Sequence, residues 1–342
     1  MKLYIGVTDN DWFKHLARLQ PDEINFWQPG GHARFGVLAP AEPFLFKLHS
    51  PYDYIVGGGS FVRQVFLPLS LAWETFGEKN GAPDYDTFRA QILRRRGEAD
   101  SPGHDPTIGC IILAAPFFFD QPDWIPVPPD WHKSIQQGKS YDMQQGAGAA
   151  LWDQVLQRLQ AQKAISLEPT LPTSHVPADT VRFGQYLTRK RLGQGAFRAL
   201  VTEAYQHRCA ITGERTLPVL QAAHIKPPPR SGPNVTSNGL LLRADLHILF
   251  DQGLLTVTPD LRVEVSRRIR EEYENGRDYY ALRGRPGAAA RPSDHGSGKG
   301  MCRTLSSSTC KRGSTALSVW PTQRRARPAR TSSPTGRPAR FG

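Results

Sequence analysis

The rhythm of apolar residues changes twice along the chain. Up to residue 119 they come in short runs, alternating or nearly continuous, bounded by Pro, Gly and Asp: KLYIGV (2–7), INFWQP (24–29), FLFKLHS (44–50), YIVGGGSFVRQVFL (54–67) and TIGCIILAAPFFF (107–119). Runs of this kind predict strands. The TDND after the first run supplies N-cap residues for a short helix through Trp12 and Leu16, while SLAWETFGEKN and DYDTFRAQILRRR carry helical spacing. A sheet with a few helices packed on it, an α+β arrangement, is expected. Gly57, Gly58 and Gly59 fall inside a strand-like run, which predicts a bulge or sharp bend, or else a close approach of backbone to a ligand. No G-x-G-x-x-G or G-K-[ST] follows, which argues against a nucleotide-phosphate loop.

The segment DQPDWIPVPPDWHKS (120–134) is too proline-rich to donate into a ladder and should cross the surface. AGAALWDQVLQRLQAQ (147–162) then sets Trp152, Val155, Leu156 and Leu159 on one helical stripe, expected to close a first domain at residue 162. Residues 163–190, with their prolines and small polar residues, read as a linker. A second compact region, 191–284, opens on QGAFRALVTEAYQ (194–206), whose Phe197, Leu200, Val201 and Ala204 have core-facing helical spacing. It closes with a hairpin signal, TVT and RVEVS around Pro259-Asp260, and a helix, SRRIREEYENG, stopped by Gly276. From about Arg285 to Gly342 periodicity vanishes in favour of Arg, Ser, Pro and Gly. Disorder, a basic arm, and GC-rich sequence translated out of frame all fit that composition.

Charge modifies the picture less than its total suggests. The chain carries 43 basic and 31 acidic residues, a net +12. Thirteen of the basic residues and a single acid, Asp294, lie in residues 283–342, so the excess belongs to the tail and the rest is balanced. Bulk charge is therefore poor evidence for nucleic-acid binding by the folded part. Cys110, Cys209, Cys302 and Cys310 form no evenly spaced disulfide framework, and no apolar run approaches the roughly 18 residues of a membrane span. A soluble, cytoplasmic protein is expected.

The candidate chemistry concentrates between Cys209 and Gly253. TLPVLQAAHI predicts a strand ending on His224, KPPPRSGP is an obligate loop, Asn238 begins an apolar run, and Asp245 can cap a helix carrying His247 and Asp251. Thirteen residues separate His224 from Asn238, and eight separate Asn238 from His247. This spacing, with the C-x-x-T-G start, the A-H-I strand end and NGLLLRADLHILFDQG, closely resembles the HNH endonuclease family over residues 194–283. The resemblance implies a ββα-metal module that hydrolyses DNA phosphodiester bonds with a divalent ion, Mg²⁺ or Mn²⁺. Such hydrolysis needs a deprotonated water and a cation for the charge growing on the phosphate. An imidazole, ordinarily near pKa 6.5, suits the first task, so His224 is read as the general base. By resemblance Asn238 fixes the loop and orients that imidazole.

His247 and Asp251 stand at i, i+4 on one helix face and are the expected metal ligands, though Asp251 near the helix end could equally be an exposed terminal acid. The chain departs from many relatives at Ala223, where Asp or His often ligates the ion; here the ion would be held by His247 with Asp251, Asp245 or Asn238, and water. Cys209 is alone where some relatives carry a second cysteine, so no structural zinc is expected and the thiol reads as a buried hydrophobe. Lys226, Arg230 and Arg243 are candidate phosphate contacts.

Residues 1–145 faintly resemble PUA-like barrels, whose members include readers of modified bases, through FLFKLHSPYDYIVGGGSF and IGCIILAAPFFFDQPDWIPVPPDW. That resemblance implies a target-recognition domain with an aromatic pocket for a flipped base; Trp27, Tyr54, Asp120 and Trp124 are its candidates, against simpler readings as core aromatics or a turn acid. Two functions follow: a restriction or defence endonuclease, with a homodimer as one route to a double-strand cut, or a non-catalytic nucleic-acid-binding protein whose ββα module has lost its metal.

Overall fold

The computed structural model of the protein describes residues 1–166, 193–226 and 235–290. Most of the expected linker, Arg230 and the tail beyond residue 290 lie outside the described residues.

A seven-stranded sheet dominates the first 142 residues. Its members are β1 (Lys2–Thr8), β2 (Glu23–Gln28), β3 (Pro43–Leu48), β4 (Tyr54–Pro68), β5 (Thr107–Phe118), β6 (Ile125–Pro126) and β7 (Gly138–Asp142). The order is β2-β5-β4-β3-β1-β7, with β6 on β4, and β1–β3 is a parallel pair among antiparallel ones. The strand runs read from hydrophobic pattern recur within a residue or two. The polar β7, GKSYD, carries no such pattern and is held at the edge by its ladder to β1.

Both faces of the sheet are covered, which is why the strands are nearly continuous apolar runs rather than strict alternations. Phe44, Phe46 and Leu48 point into a cluster with Trp12, Phe13 and Leu16 of α1 (Asn10–Leu19). Leu45 points the other way, with Leu3, Ile5 and Ile55, against Leu151, Trp152 and Val155 of α4 (Gly146–Ser166). The glycine run sits at a register shift between Gly58 and Ser60, the expected bulge. A Cβ on Gly57 would stand 2.3 Å from the Phe117 carbonyl oxygen, so β4 and β5 meet there too closely for a side chain. α2 (Leu69–Phe76) and α3 (Tyr85–Arg96) cover the far halves of β4 and β5.

The second region begins with α5 (Gln194–Ala204). Its sequence suggested one apolar stripe, but the helix is buried on two sides. Phe197 and Val201 join the core of the second region, whereas Ala196, Ala199 and Leu200 join the cluster under α2, α3, β4 and β5. Small residues at 196 and 199 allow that second approach. Then come β8 (Leu220–His224), β9 (Gly239–Arg243), α6 (Ala244–Asp251), the hairpin β10 (Leu255–Val257) and β11 (Val263–Val265), α7 (Arg268–Tyr273) and α8 (Arg277–Tyr280). α7 stops before Gly276, at Glu274 in the left-handed region; Gly276 instead precedes α8. Past α8 the backbone of Arg285, Gly287 and Ala288 is hydrogen-bonded to Val263, Leu261 and Ala210. The protein is thus α+β, with a β-rich N-terminal part and a small ββα region after it. Among the described residues no helix is long and apolar enough to cross a membrane.

Candidate functional site

β8 and β9 pair antiparallel, Leu220 opposite Arg243 through His224 opposite Gly239. Alternation along β8 sends Gln221 and Ala223 to one face and Ala222 and His224 to the other. The two candidate histidines are met from these opposite faces.

On the first face, α6 brings His247 to the strand. Its Nδ1 lies 2.8 Å from Gln221 Oε1, and its Nε2 lies 3.3 Å from Asp251 Oδ2. The i, i+4 spacing thus does bring His247 and Asp251 together. Gln221, which no spacing signalled, is the additional member. A carbonyl oxygen facing Nδ1 makes that nitrogen the N–H donor, so a neutral ring keeps its lone pair on Nε2. A lone pair and a carboxylate side by side repel unless a proton or a cation lies between or beside them. An imidazole and a hard carboxylate, with the far ring nitrogen held by an outer partner, fit a divalent ion that keeps several waters. No cluster of three or more His, Cys, Asp or Glu side chains suited to a metal occurs among the described residues. Ala223, fully buried on the same face as Gln221, has no donor atom to offer an ion.

Asp245 departs from its expected place. The helix begins at Ala244 with Arg243 as N-cap and no side-chain cap, and Asp245 lies within the first turn. Its carboxylate receives Arg243 Nε at 2.7 Å and Nη2 at 2.8 Å, a two-pronged pair that outcompetes capping. The Arg243 hydrogen bonds hold the Asp245 carboxyl below its ordinary value. Arg243, a candidate phosphate contact, therefore has one edge of its guanidinium engaged.

On the second face, the half-buried His224 ring stacks on Phe197 of α5, with centroids 3.9 Å apart and planes within 6°. The chain just after His224 is locked by Asn238. The Asn238 amide accepts from Lys226 N at 2.9 Å and donates to Lys226 O at 3.0 Å, while Ile225 N donates to the Asn238 carbonyl at 2.8 Å. An amide can accept from the N–H and donate to the C=O of one residue at once, as neither Asp nor Leu can. Lys226 is exposed, next to this clamp. Cys209, 2% exposed, packs in the core of the region, and its Sγ accepts from Thr212 N at 3.5 Å.

In the N-terminal part, the structure divides the four base-pocket candidates. Trp124 lines a cavity of about 280 Å³ with Tyr52, Phe13, Asn10 and Lys14. Tyr54 lies against the Trp124 ring, centroids 6.1 Å apart, and Tyr52 meets it edge-on at 5.9 Å. Asn10 Oδ1 is buried without a hydrogen-bond partner. Trp27 is elsewhere: Nε1 donates to Asn80 O at 3.0 Å and the ring packs on Phe88. Asp120 is exposed, before a short turn (Gln121–Asp123) whose Gln121 reaches the cavity. Tyr52 and Asn10 had no pattern to mark them; they converge only through the fold.

Comparison with known proteins finds one matching family and several similar solved structures. The HNH endonuclease family matches residues 209–258, which contain β8, β9, α6 and β10. The resemblance read from His224, Asn238 and His247 is thus shown for that segment. Similar solved structures include ASCH from Zymomonas mobilis, at 10% identity and TM-score 0.27, covering 50% of this chain and 98% of that one. Another is the modification-dependent TagI restriction endonuclease, at 17% identity and TM-score 0.22, covering 79% of this chain and 70% of that one. No curated protein sequence matches the chain.

Proposed function

We propose that the protein is a metal-dependent DNA endonuclease of restriction type, in which the ββα region cuts and the N-terminal part selects the target. The observation that supports the reading best is the hairpin and helix of an HNH module, with His247 presenting Nε2 beside the Asp251 carboxylate. His247 and Asp251 would hold the divalent ion, Mg²⁺ or Mn²⁺, and that ion supplies charge stabilisation at the phosphate. Gln221 keeps the lone pair of His247 on the correct nitrogen. From the opposite face of β8, His224 takes the proton of the attacking water, and Asn238 holds the backbone that follows it. Lys226 and Arg230 contact neighbouring phosphates. The cavity under Trp124 is the place where the N-terminal part reads a base, with aromatic faces for stacking and Asn10 Oδ1 as an unmatched acceptor. One site per chain cuts one strand at a time, so a double-strand break needs either two copies or successive nicks. Nicking of supercoiled plasmid in Mg²⁺ or Mn²⁺, compared with His224→Ala, tests the assignment; equal cleavage by both would remove His224 as the base.

A second reading is favoured by Ala223 and by the lack of a three-donor cluster among the described residues. In it, the module binds nucleic acid without cutting. Calorimetric titration with Mn²⁺ separates the two: the nuclease binds the ion and His247→Ala does not, whereas a degenerate module gives no heat in either protein.

A further inference from the structure

The helix that carries Phe197 is capped from another part of the chain. The N-cap of α5 is Gly193, which has no side chain to receive the first-turn N–H groups. Glu23 of β2 receives them instead. This carboxylate is fully buried; Oε1 accepts from Gly195 N and Oε2 from Ala196 N, each at 2.9 Å. Lys79 Nζ lies 3.2 Å from the same Oε1 and balances the buried charge. A Cβ on Gly193 would fall 2.2 Å from the Glu23 carboxyl carbon, so the bare N-cap is what admits the carboxylate. Arg198, further along α5, pairs with Glu74 at 2.9 Å.

The residue after the two captured amides is Phe197, stacked on His224. Across the ladder from His224 stands Gly239, where a Cβ would meet Val201 Cγ2 at 2.3 Å and Phe197 Cζ at 3.0 Å. The absence of a side chain there makes room for the ring. A chain of contacts therefore runs from β2, through the first turn of α5 and the Phe197 ring, to the imidazole.

We propose that Glu23 and Phe197 are positioning residues for His224: the N-terminal sheet sets the seat of α5, and α5 sets the plane of the imidazole through its stacked ring. The proposal rests on the reading of His224 as the base. A ring held face to face keeps its plane, so its nitrogens are confined to the two orientations related by a 180° flip, and that plane follows the helix. Since Glu23 belongs to the part assigned to target selection, a shift of β2 on DNA engagement would be felt at the base.

The test uses the full-length protein, Glu23→Gln and Phe197→Leu, with single-turnover nicking of supercoiled plasmid in Mn²⁺, plasmid affinity by gel shift, and the ring proton shifts of ¹³C-labelled His224. Both variants are expected to nick about tenfold or more slowly at saturating plasmid, because small misplacements of a catalytic group are costly, with plasmid affinity unchanged. In both, the His224 ring protons should move downfield as the shielding Phe197 face withdraws. A folded Glu23→Gln protein with wild-type ring shifts overturns the proposal, as does a loss of affinity alone. Should Glu23→Gln fail to fold, Gly193→Ala, which crowds the same carboxylate, takes its place with the same expectations. If the wild-type protein does not nick, the nuclease reading fails, and the ring shifts still decide whether Glu23 positions His224.

Discussion

The two faces of the β8–β9 hairpin hold their histidines by different means. His224 has an aromatic face stacked against its ring, a glycine opposite, and beneath that ring a helix whose first turn is fixed by a buried carboxylate. His247 is held by two polar contacts at the surface, to Gln221 and to an Asp251 side chain that is 63% exposed. Packing tolerates little displacement, whereas exposed polar contacts let a side chain rearrange. A base needs the first kind of support because its direction must be set before substrate arrives. Under the proposed roles, a ligand pair that shares its ion with water and phosphate can use the second.

If the faces are separable in this way, His224→Ala should lower single-turnover nicking by about 10²–10⁴-fold while the calorimetric heat of Mn²⁺ binding stays as in the wild type. Loss of both would show that the two faces form one unit. On the other face, Gln221→Leu should weaken Mn²⁺ binding by about 10–100-fold, with the His224 ring resonances unmoved. Gly239→Ala presses a methyl group into the stack and should cost about 1–3 kcal/mol of stability in urea denaturation, as overpacking does; an unchanged midpoint would mean that the fit around His224 is looser than the structure shows.

The smallest effect is expected at Asp245→Asn. The Asp245 carboxyl is held below its ordinary 3.8 chiefly by the Arg243 hydrogen bond. A depressed carboxyl stabilises the fold above its unfolded-state value, and that contribution disappears as pH falls through the folded-state value. The pair is partly exposed, so its worth is under about 1 kcal/mol. The gap between wild type and Asp245→Asn in urea midpoint should therefore be present at neutral pH and close in acid; a gap that persists below the folded-state value would mean that the carboxylate charge is not its source.

Several of these features are legible in the amino-acid sequence alone. The strands of the N-terminal sheet follow their apolar runs, because strand burial on two faces leaves a continuous signal, and the bulge at Gly57–Gly59 follows from the glycines. The hairpin-helix of the ββα region followed from His224, Asn238 and His247, and the His247–Asp251 pair from helical spacing alone. The edge strand β7 was not legible, since a polar strand is specified by its neighbour. The placement of Asp245 was misread because a capping residue and an ion-pairing residue look alike until Arg243 is seen to fold back onto it.

What the sequence determined by itself was local: which segments are strands or helices, and which residue types at which intervals can share a helix face or end a strand. Those relations span a few residues and are set by the 3.6-residue and two-residue periods of the backbone. Only the tertiary structure decided what those residues lean on. Gln221 is 26 positions from His247, Phe197 stands on a helix and His224 at the end of a strand, and Glu23 is 172 positions from the amide it caps. Contacts at such separations leave no interval in the chain to be read, because they arise from the packing of elements whose own sequences specify only that each will form.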